Sequence, residues 1–235
     1  MKKLRIAQIA PLWITVPPLK YGGIERIIAM LCDGLSAKGH EVTLFASPGS
    51  SAKCKKLISV FEKPLLDANV AWSNPIWNLR NLSLATEMAN KGEFDIVHSH
   101  LDLWALFFHN LTKTPVIHTM HNPLYRTNAD ANKDDRLRLF AEEAKRTNIV
   151  FISKSAKEQA MLEFPEERER IIYNGIDLSH FKFNKKGGEH FVWIARMNKH
   201  KGVENAIAAC EKIGAKLLLA GRIDPTQKEY FETYI

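Results

Sequence analysis

Apolar and polar positions along the chain follow two periods, and the switches between them mark strands and helices. Leu4 to Ala10 is a short apolar run. A loop holding Pro11, Pro17 and Pro18 follows, and Gly22-Gly23 then stand at the mouth of a helical pattern. In that helix Ile24, Ile27, Ile28, Leu31 and Leu35 share one face, and Gly39 lies where a left-handed residue would end it. Glu41 to Ala46 is the next strand, so the segment is a βαβ unit, whose crossover requires a parallel sheet. Residues 47–75 carry no firm period and predict no element. Beyond them the pattern predicts a helix near 78–91 closed by Gly92, a strand at 94–98, a helix near 102–111 and a strand at 116–119. An exposed polar loop at 124–135, a helix at 136–146 and a strand at 148–152 come next. Ser155 and Glu158 have capping-box spacing, which predicts a helix over 156–164 stopped by Pro165, and 170–173 reads as a further strand.

Residues 178–189, ending Asn184-Lys185-Lys186-Gly187-Gly188, have the composition of a linker. After it come a strand at 191–195, a helix from Lys201 to Ile213 and a strand at 215–221. The predicted architecture is α/β: a Rossmann-like parallel-sheet domain over residues 1–183, and a second Rossmann-like domain over 184–235. One βαβ unit cannot cover both faces of a parallel sheet, so the second domain is expected to be incomplete.

Composition narrows the class. With 46% hydrophobic residues in 235, the chain can build one or two real cores, which excludes a disordered or fibrous protein. The 33 Lys and Arg against 26 Asp and Glu give a net charge of +7 and favour anionic partners. The basic residues are scattered, and the runs at Lys53–Lys56 and Lys185-Lys186 are too short for a nucleic-acid stripe, so no nucleic-acid partner is expected. Cys32, Cys54 and Cys210 lie far apart without CxxC spacing, which fits a reducing cytosol. The N-terminus runs straight into a strand with no signal-peptide core, and no stretch approaches ~18 apolar residues. The expected location is therefore cytoplasmic, and the glycosylation sequons at Asn81 and Asn110 are expected to be chance.

In an open parallel sheet, ligands bind at the carboxyl ends of the strands, where loops diverge and helix N-termini point. Those positions carry Gly22-Gly23, His98-Ser99-His100, His118 to His121 with Asn122, Ser153-Lys154-Ser155 and Asn174 to Asp177. In the second unit they carry Arg196, Met197, Asn198, Lys201 and Gly202. The glycine pair lets backbone amides approach an anion at a helix start. A nicotinamide site is disfavoured, because GxGxxG is absent and the second strand ends in Ala46-Ser47 where an acidic ribose ligand belongs. Arg196 and Lys201 flank a strand end and a helix start, so two cations can converge on one diphosphate. His98, His100, His118 and His121 have spacings that would also allow a metal-dependent hydrolase. Against it, His98 and His118 alternate into their strands as hydrogen-bonded core histidines, which leaves His100 and His121 for ligand contact. No DxD motif is present to chelate a metal-bound phosphate.

The ordered set PPLKYGGIER, LSAKGHEVTLFAS, FDIVHSH, VIHTMHN, FISKSAKEQ, IIYNGIDLSHF and FVWIARMNKHKGV resembles retaining glycosyltransferases of family 4, of the GT-B fold, over residues 4–222. The resemblance implies two Rossmann-like domains facing across a cleft. It implies a nucleotide-sugar donor, such as a UDP- or GDP-sugar, held mainly by the C-terminal domain, and a sugar, lipid or small-molecule acceptor held mainly by the N-terminal one. It implies neither a metal nor a cofactor. By position, Arg196 and Lys201 match the family's basic pair on the donor diphosphate, and His121 matches the histidine that orients the donor sugar. Gly22, Gly23 and Glu25 match the loop that meets the phosphates and the acceptor, while His100, Asn122 and Asn198 are expected as further substrate contacts. A lipid acceptor would imply peripheral contact with the inner face of a membrane. The family's downstream E-x7-E motif lies beyond the last residue; Glu158 and Glu166 have that spacing but fall in the wrong domain, with Pro165 between them. The sequence therefore reads as an enzyme truncated in its donor domain, with an inactive or binding-only fragment as the alternative.

Overall fold

The computed structural model of the protein describes residues 2–71, 74–122, 136–160, 162–223 and 227–235. Contacts divide the chain into two compact units, Met1–Ile176 and Asp177–Ile235, slightly ahead of the 183/184 boundary that composition indicates. The polar stretch 124–135 lies outside the described residues.

The first unit is built on a seven-stranded sheet. In chain order the strands are β1 (Arg5–Ile9), β2 (Glu41–Phe45), β3 (Lys56–Ile58), β4 (Ile96–Ser99), β5 (Val116–Met120), β6 (Asn148–Phe151) and β7 (Glu169–Ile171). They pair in the order β3-β2-β1-β4-β5-β6-β7, all parallel. Winding therefore reverses between β1 and β4, and the loops leaving those two strands diverge to open a crevice. Period-2 alternation sends side chains to two covered faces. On one, helix α1 (Gly23–Ala37) packs Ile28, Ala29 and Cys32 over Ala10, Val42 and Leu44. On the other, α2 (Ile76–Asn90) packs Leu82, Ala85 and Met88 over Ala7, Ile9 and Phe45. At the amino ends of β1 and β4, the Arg5 guanidinium and backbone N–H both donate to Asp95, at 2.9 and 2.8 Å, which pins the register that the site depends on.

Several elements differ from their sequence patterns. Asp102–Leu111 is a 3₁₀ helix rather than an α-helix. Its central run LWALFF, residues 103–108, is apolar at every position, so the pattern carries no period to separate three residues per turn from 3.6. The helix placed at 156–164 is the single turn α4 (Lys154–Glu158), preceded by α3 (Arg136–Ala144); its cap is Ser153, whose Oγ accepts from Ala156 N at 3.0 Å, not Ser155. β3, which no pattern announces, is one exposed and two half-buried residues at the sheet edge. Asn81 is fully buried within α2, with its amide directed at the carbonyls of Ala10 and Phe45, so that sequon is inaccessible.

The second unit contains two parallel strands, β8 (Phe191–Ile194) and β9 (Leu217–Ala220), crossed over by α5 (Val203–Lys212), and a further helix α6 (Lys228–Tyr234). No described helix is long and apolar enough to cross a membrane.

Candidate functional site

A buried polar chain runs across the paired strands β1 and β4, beneath the point where the winding reverses. Gln8 lies level with His98 in the β1–β4 register. His98 on β4 and His100 just past its end are two apart, as are Thr119 on β5 and His121 just past its end, so alternation places all of them on one face of the sheet. Gln8, His100 and Thr119 are buried, and His98 and His121 partly so. His100 N also bonds Ile9 O at 3.0 Å, continuing the ladder one residue past β4 and drawing the imidazole inside.

The hydrogen bonds run in a line. Thr119 Oγ1 is 2.8 Å from His98 Nε2, His98 Nδ1 is 3.3 Å from Gln8 Nε2, Gln8 Oε1 is 2.9 Å from His100 Nε2, and His100 Nδ1 is 2.9 Å from His121 Nε2. Burial holds the imidazoles neutral: it lowers His98 and His121 to about 4 and His100 well below its ordinary value, with the neighbouring histidines adding to the effect at His98 and His100. His121 is thus a neutral imidazole at the carboxyl end of β5.

Its backbone is fixed as well. Asp102, at φ 46, begins the 3₁₀ helix and turns its carboxylate back on the following strand end. Oδ1 accepts from His121 N at 2.8 Å and Oδ2 from Asn122 Nδ2 at 2.8 Å. Burial raises the Asp102 pKa, and the bonds from Asn122 and the two backbone amides oppose that rise. The left-handed conformation is one that Asp tolerates better than most residues.

Placement of the other candidates differs from residue to residue. Gly22 caps α1 and Gly23 opens it. A Cβ on Gly22 would lie 2.6 Å from Ile14 and 2.8 Å from both Pro18 and Glu25 Oε2, so only glycine fits; at Gly23 nothing lies within 4 Å. Glu25 is buried in the first turn, and burial raises its carboxyl pKa. In the second unit Arg196 follows β8, Lys201 closes a three-residue 3₁₀ turn, and Gly202, at φ 68, starts α5. Asn198 is buried and caps that turn, its Oδ1 accepting from His200 N at 2.9 Å. Trp193 Nε1 donates to Lys201 O at 3.3 Å, tying the turn to the strand.

His100 requires a correction. It is not available to a substrate, because it is buried with both ring nitrogens bonded inside the protein. His118 is a core histidine, as its alternation implies, but among the described residues neither of its nitrogens has a partner. Nor do the four histidines make a metal centre: three are engaged in the line above, and among the described residues no group of three His, Cys, Asp or Glu side chains could hold a metal ion. Sequence reading passed over Gln8 and Asp102. The signal for Gln8 was there, as the one uncharged polar residue inside the apolar run Leu4–Ala10.

Comparison with known proteins bears on this geometry. A glycosyltransferase of Methanocaldococcus jannaschii of uncharacterised function is similar, with 25% identity over 92% of this chain and 63% of its own length. Among solved structures, a glycosyltransferase from Rickettsia africae matches with a TM-score of 0.66 at 18% identity, over 99% of this chain and 63% of that one. HepE of Anabaena, solved with UDP and glucose, matches with a TM-score of 0.64 at 13% identity, over 97% of this chain and 64% of that one. The chain thus spans just under two thirds of the length of these relatives, and it has their GT-B-type α/β fold. The model of glycosyltransferase family 4 matches residues 21–180, from the turn before α1 to beyond β7, and so the chain belongs to that family.

Proposed function

We propose that the protein serves to move a sugar from a nucleotide-sugar donor, such as a UDP- or GDP-sugar, to an acceptor hydroxyl, with retention of anomeric configuration and without a metal ion. The observation that carries this reading is the position of His121: a neutral imidazole held by Asp102 and His100 at a strand end beside the β1–β4 crevice. Family membership and the UDP and glucose bound by HepE support the donor class.

In this reading Arg196 and Lys201 bind the donor diphosphate and stabilise the charge that develops on the leaving nucleotide. His121 orients the donor sugar. Gly22, Gly23 and Glu25 form the loop that meets phosphate and acceptor, and Asn122 and Asn198 are further substrate contacts, each on its own unit. The bond between the anomeric carbon and the diphosphate oxygen breaks. The acceptor oxygen attaches to the same face, and its proton passes to a phosphate oxygen of the departing nucleotide. The acceptor is a sugar, a lipid or a small molecule, and the protein works in the cytoplasm, peripheral to the membrane where the acceptor is a lipid.

Calorimetry with UDP-glucose tests the donor roles. Arg196→Ala or Lys201→Ala should weaken binding by roughly tenfold to a hundredfold, the size of a lost charge-assisted hydrogen bond. Unchanged affinity in both variants would overturn the assignment.

A further inference from the structure

We propose that Gln8 is a positioning residue for His121: acting through His100, its side-chain amide decides which ring nitrogen of His121 carries the proton, and therefore whether that histidine offers a donor or an acceptor to the sugar. The inference rests on the reading of His121 given above and adds the device that sets its polarity.

The argument follows from the two unlike ends of an amide. Gln8 Oε1 can only accept, so His100 Nε2, at 2.9 Å, must donate. A neutral imidazole has one N–H, which leaves His100 Nδ1 bare. His121 Nε2, 2.9 Å from that bare nitrogen, must then carry the hydrogen, and His121 Nδ1 is left as the ring's acceptor. The other end of the amide works the same way. Gln8 Nε2 donates to His98 Nδ1 at 3.3 Å, so His98 holds its proton on Nε2 and donates to Thr119 Oγ1 at 2.8 Å.

One amide orientation thus fixes three tautomers, and turning it over would reverse all three. The arrangement requires that His98 and His100 be uncharged, because an imidazolium at either would set N–H against N–H, and that His121 be uncharged, because a second N–H would remove its acceptor; the burial of His100 and the partial burial of His98 and His121 favour that condition. A bare nitrogen at His121 accepts from a sugar hydroxyl, whereas an N–H would donate to a sugar or phosphate oxygen. Gln8 therefore chooses the polarity of a contact that it does not itself make.

Two-bond proton–nitrogen NMR on the 15N-labelled chain tests this directly. The wild-type spectrum should give His121 a protonated Nε2 and an acceptor Nδ1, and the opposite tautomer overturns the proposal without any variant being needed. In Gln8→Met the tautomer ratio at His121 should fall roughly tenfold, the size of one net hydrogen bond. Thr119→Val, which touches only the His98 arm, should leave that ratio unchanged. A Gln8→Met protein that loses stability but keeps the wild-type ratio would make Gln8 merely structural and sink the idea. Titration with UDP-glucose separates this from the functional reading. If His121→Ala binds UDP-glucose as tightly as the wild type, the reading of His121 fails while the tautomer result stands; a wrong tautomer with weakened binding does the reverse.

Discussion

The two units carry the same kind of strand and meet different surroundings. β1 and β2 are apolar at most positions and lie between α1 on one face and α2 on the other, so their side chains are buried on both. β8 and β9 are just as apolar, yet Phe191 is 55% exposed, Ile194 78% and Leu218 53%. A near-continuous apolar run is the composition of a strand covered on both faces. The contrast shows that composition specifies the environment a strand is suited to, while burial depends on what packs against it. Side-chain chemistry divides along the same line: the buried unit holds a line of neutral imidazoles, while the exposed one carries Lys199 and Lys201 on a short turn.

The largest expected effect tests that contrast in the core. Leu44→Ala, at a fully buried site, should cost about 2–5 kcal/mol in urea unfolding, while Leu218→Ala should cost less than about 1 kcal/mol. Equal losses would mean that β9 is covered in solution. Hydrogen exchange sharpens the comparison without mutation, with the amides of β1, β2 and β4 expected to outlast those of β8 and β9.

Acid should act on the first unit through its histidines. His98 and His121 fall to about 4 and His118 to about 3 by burial, from an ordinary 6.5. Between those values the unfolded chain binds more protons than the native one, so stability is complete above about pH 6.5 and is lost as pH falls toward 4. A group lowered as far as His121 contributes on the order of 3 kcal/mol over that range. Thermal melts of the wild type and of His118→Gln across the range would measure it, and a flat profile in the wild type would mean that these rings are solvated.

Much of this was legible in the sequence, for physical reasons that can be named. α1 and β2 declare themselves because each has one clear period and a glycine at its boundary. The 3₁₀ helix does not, because Leu103 to Phe108 is apolar throughout. Among the candidate residues, His121 stands directly after a strand, where its place in the sequence predicts it. His100 was misplaced for the same reason: its backbone bond to Ile9 O extends the ladder one step, and no side-chain pattern records that step. Gln8 was missed because a single polar residue in a strand reads as a statement about its face, whereas here its partners lie 90 and 92 residues away.

Two glycines at helix starts give the next comparison. Gly22 is required by space, with three atoms inside 3 Å of a built Cβ, so Gly22→Ala should cost about 1–3 kcal/mol by overpacking. Gly202 is required by backbone, at φ 68 with its nearest neighbour at 3.4 Å, so Gly202→Ala should cost about 1–2 kcal/mol through the left-handed conformation alone. Asparagine separates the causes. Gly202→Asn should recover part of the loss, because Asn tolerates that conformation, and Gly22→Asn should recover none. Recovery at both positions would contradict the steric account of Gly22.

The smallest effect concerns the caps. Ser153 Oγ accepts from Ala156 N at 3.0 Å and satisfies one of the free amides of α4, so Ser153→Ala should lower the stability of the first unit by about 1 kcal/mol. Ser155 has the spacing of a capping box, but its hydroxyl accepts from Gln159 Nε2 at 2.7 Å on an exposed surface, and Ser155→Ala should change stability by less than about 0.5 kcal/mol. In the second unit Asn198 makes the corresponding bond to His200 N from a buried position. Its loss removes the bond that fixes the start of the three-residue turn, and the turn presents Lys201. Asn198→Ala should therefore weaken UDP-glucose binding more than it lowers the melting temperature, while Ser153→Ala does the opposite. If both variants move both measurements in the same proportion, the division between a unit that stores stability and a unit that presents cations is wrong.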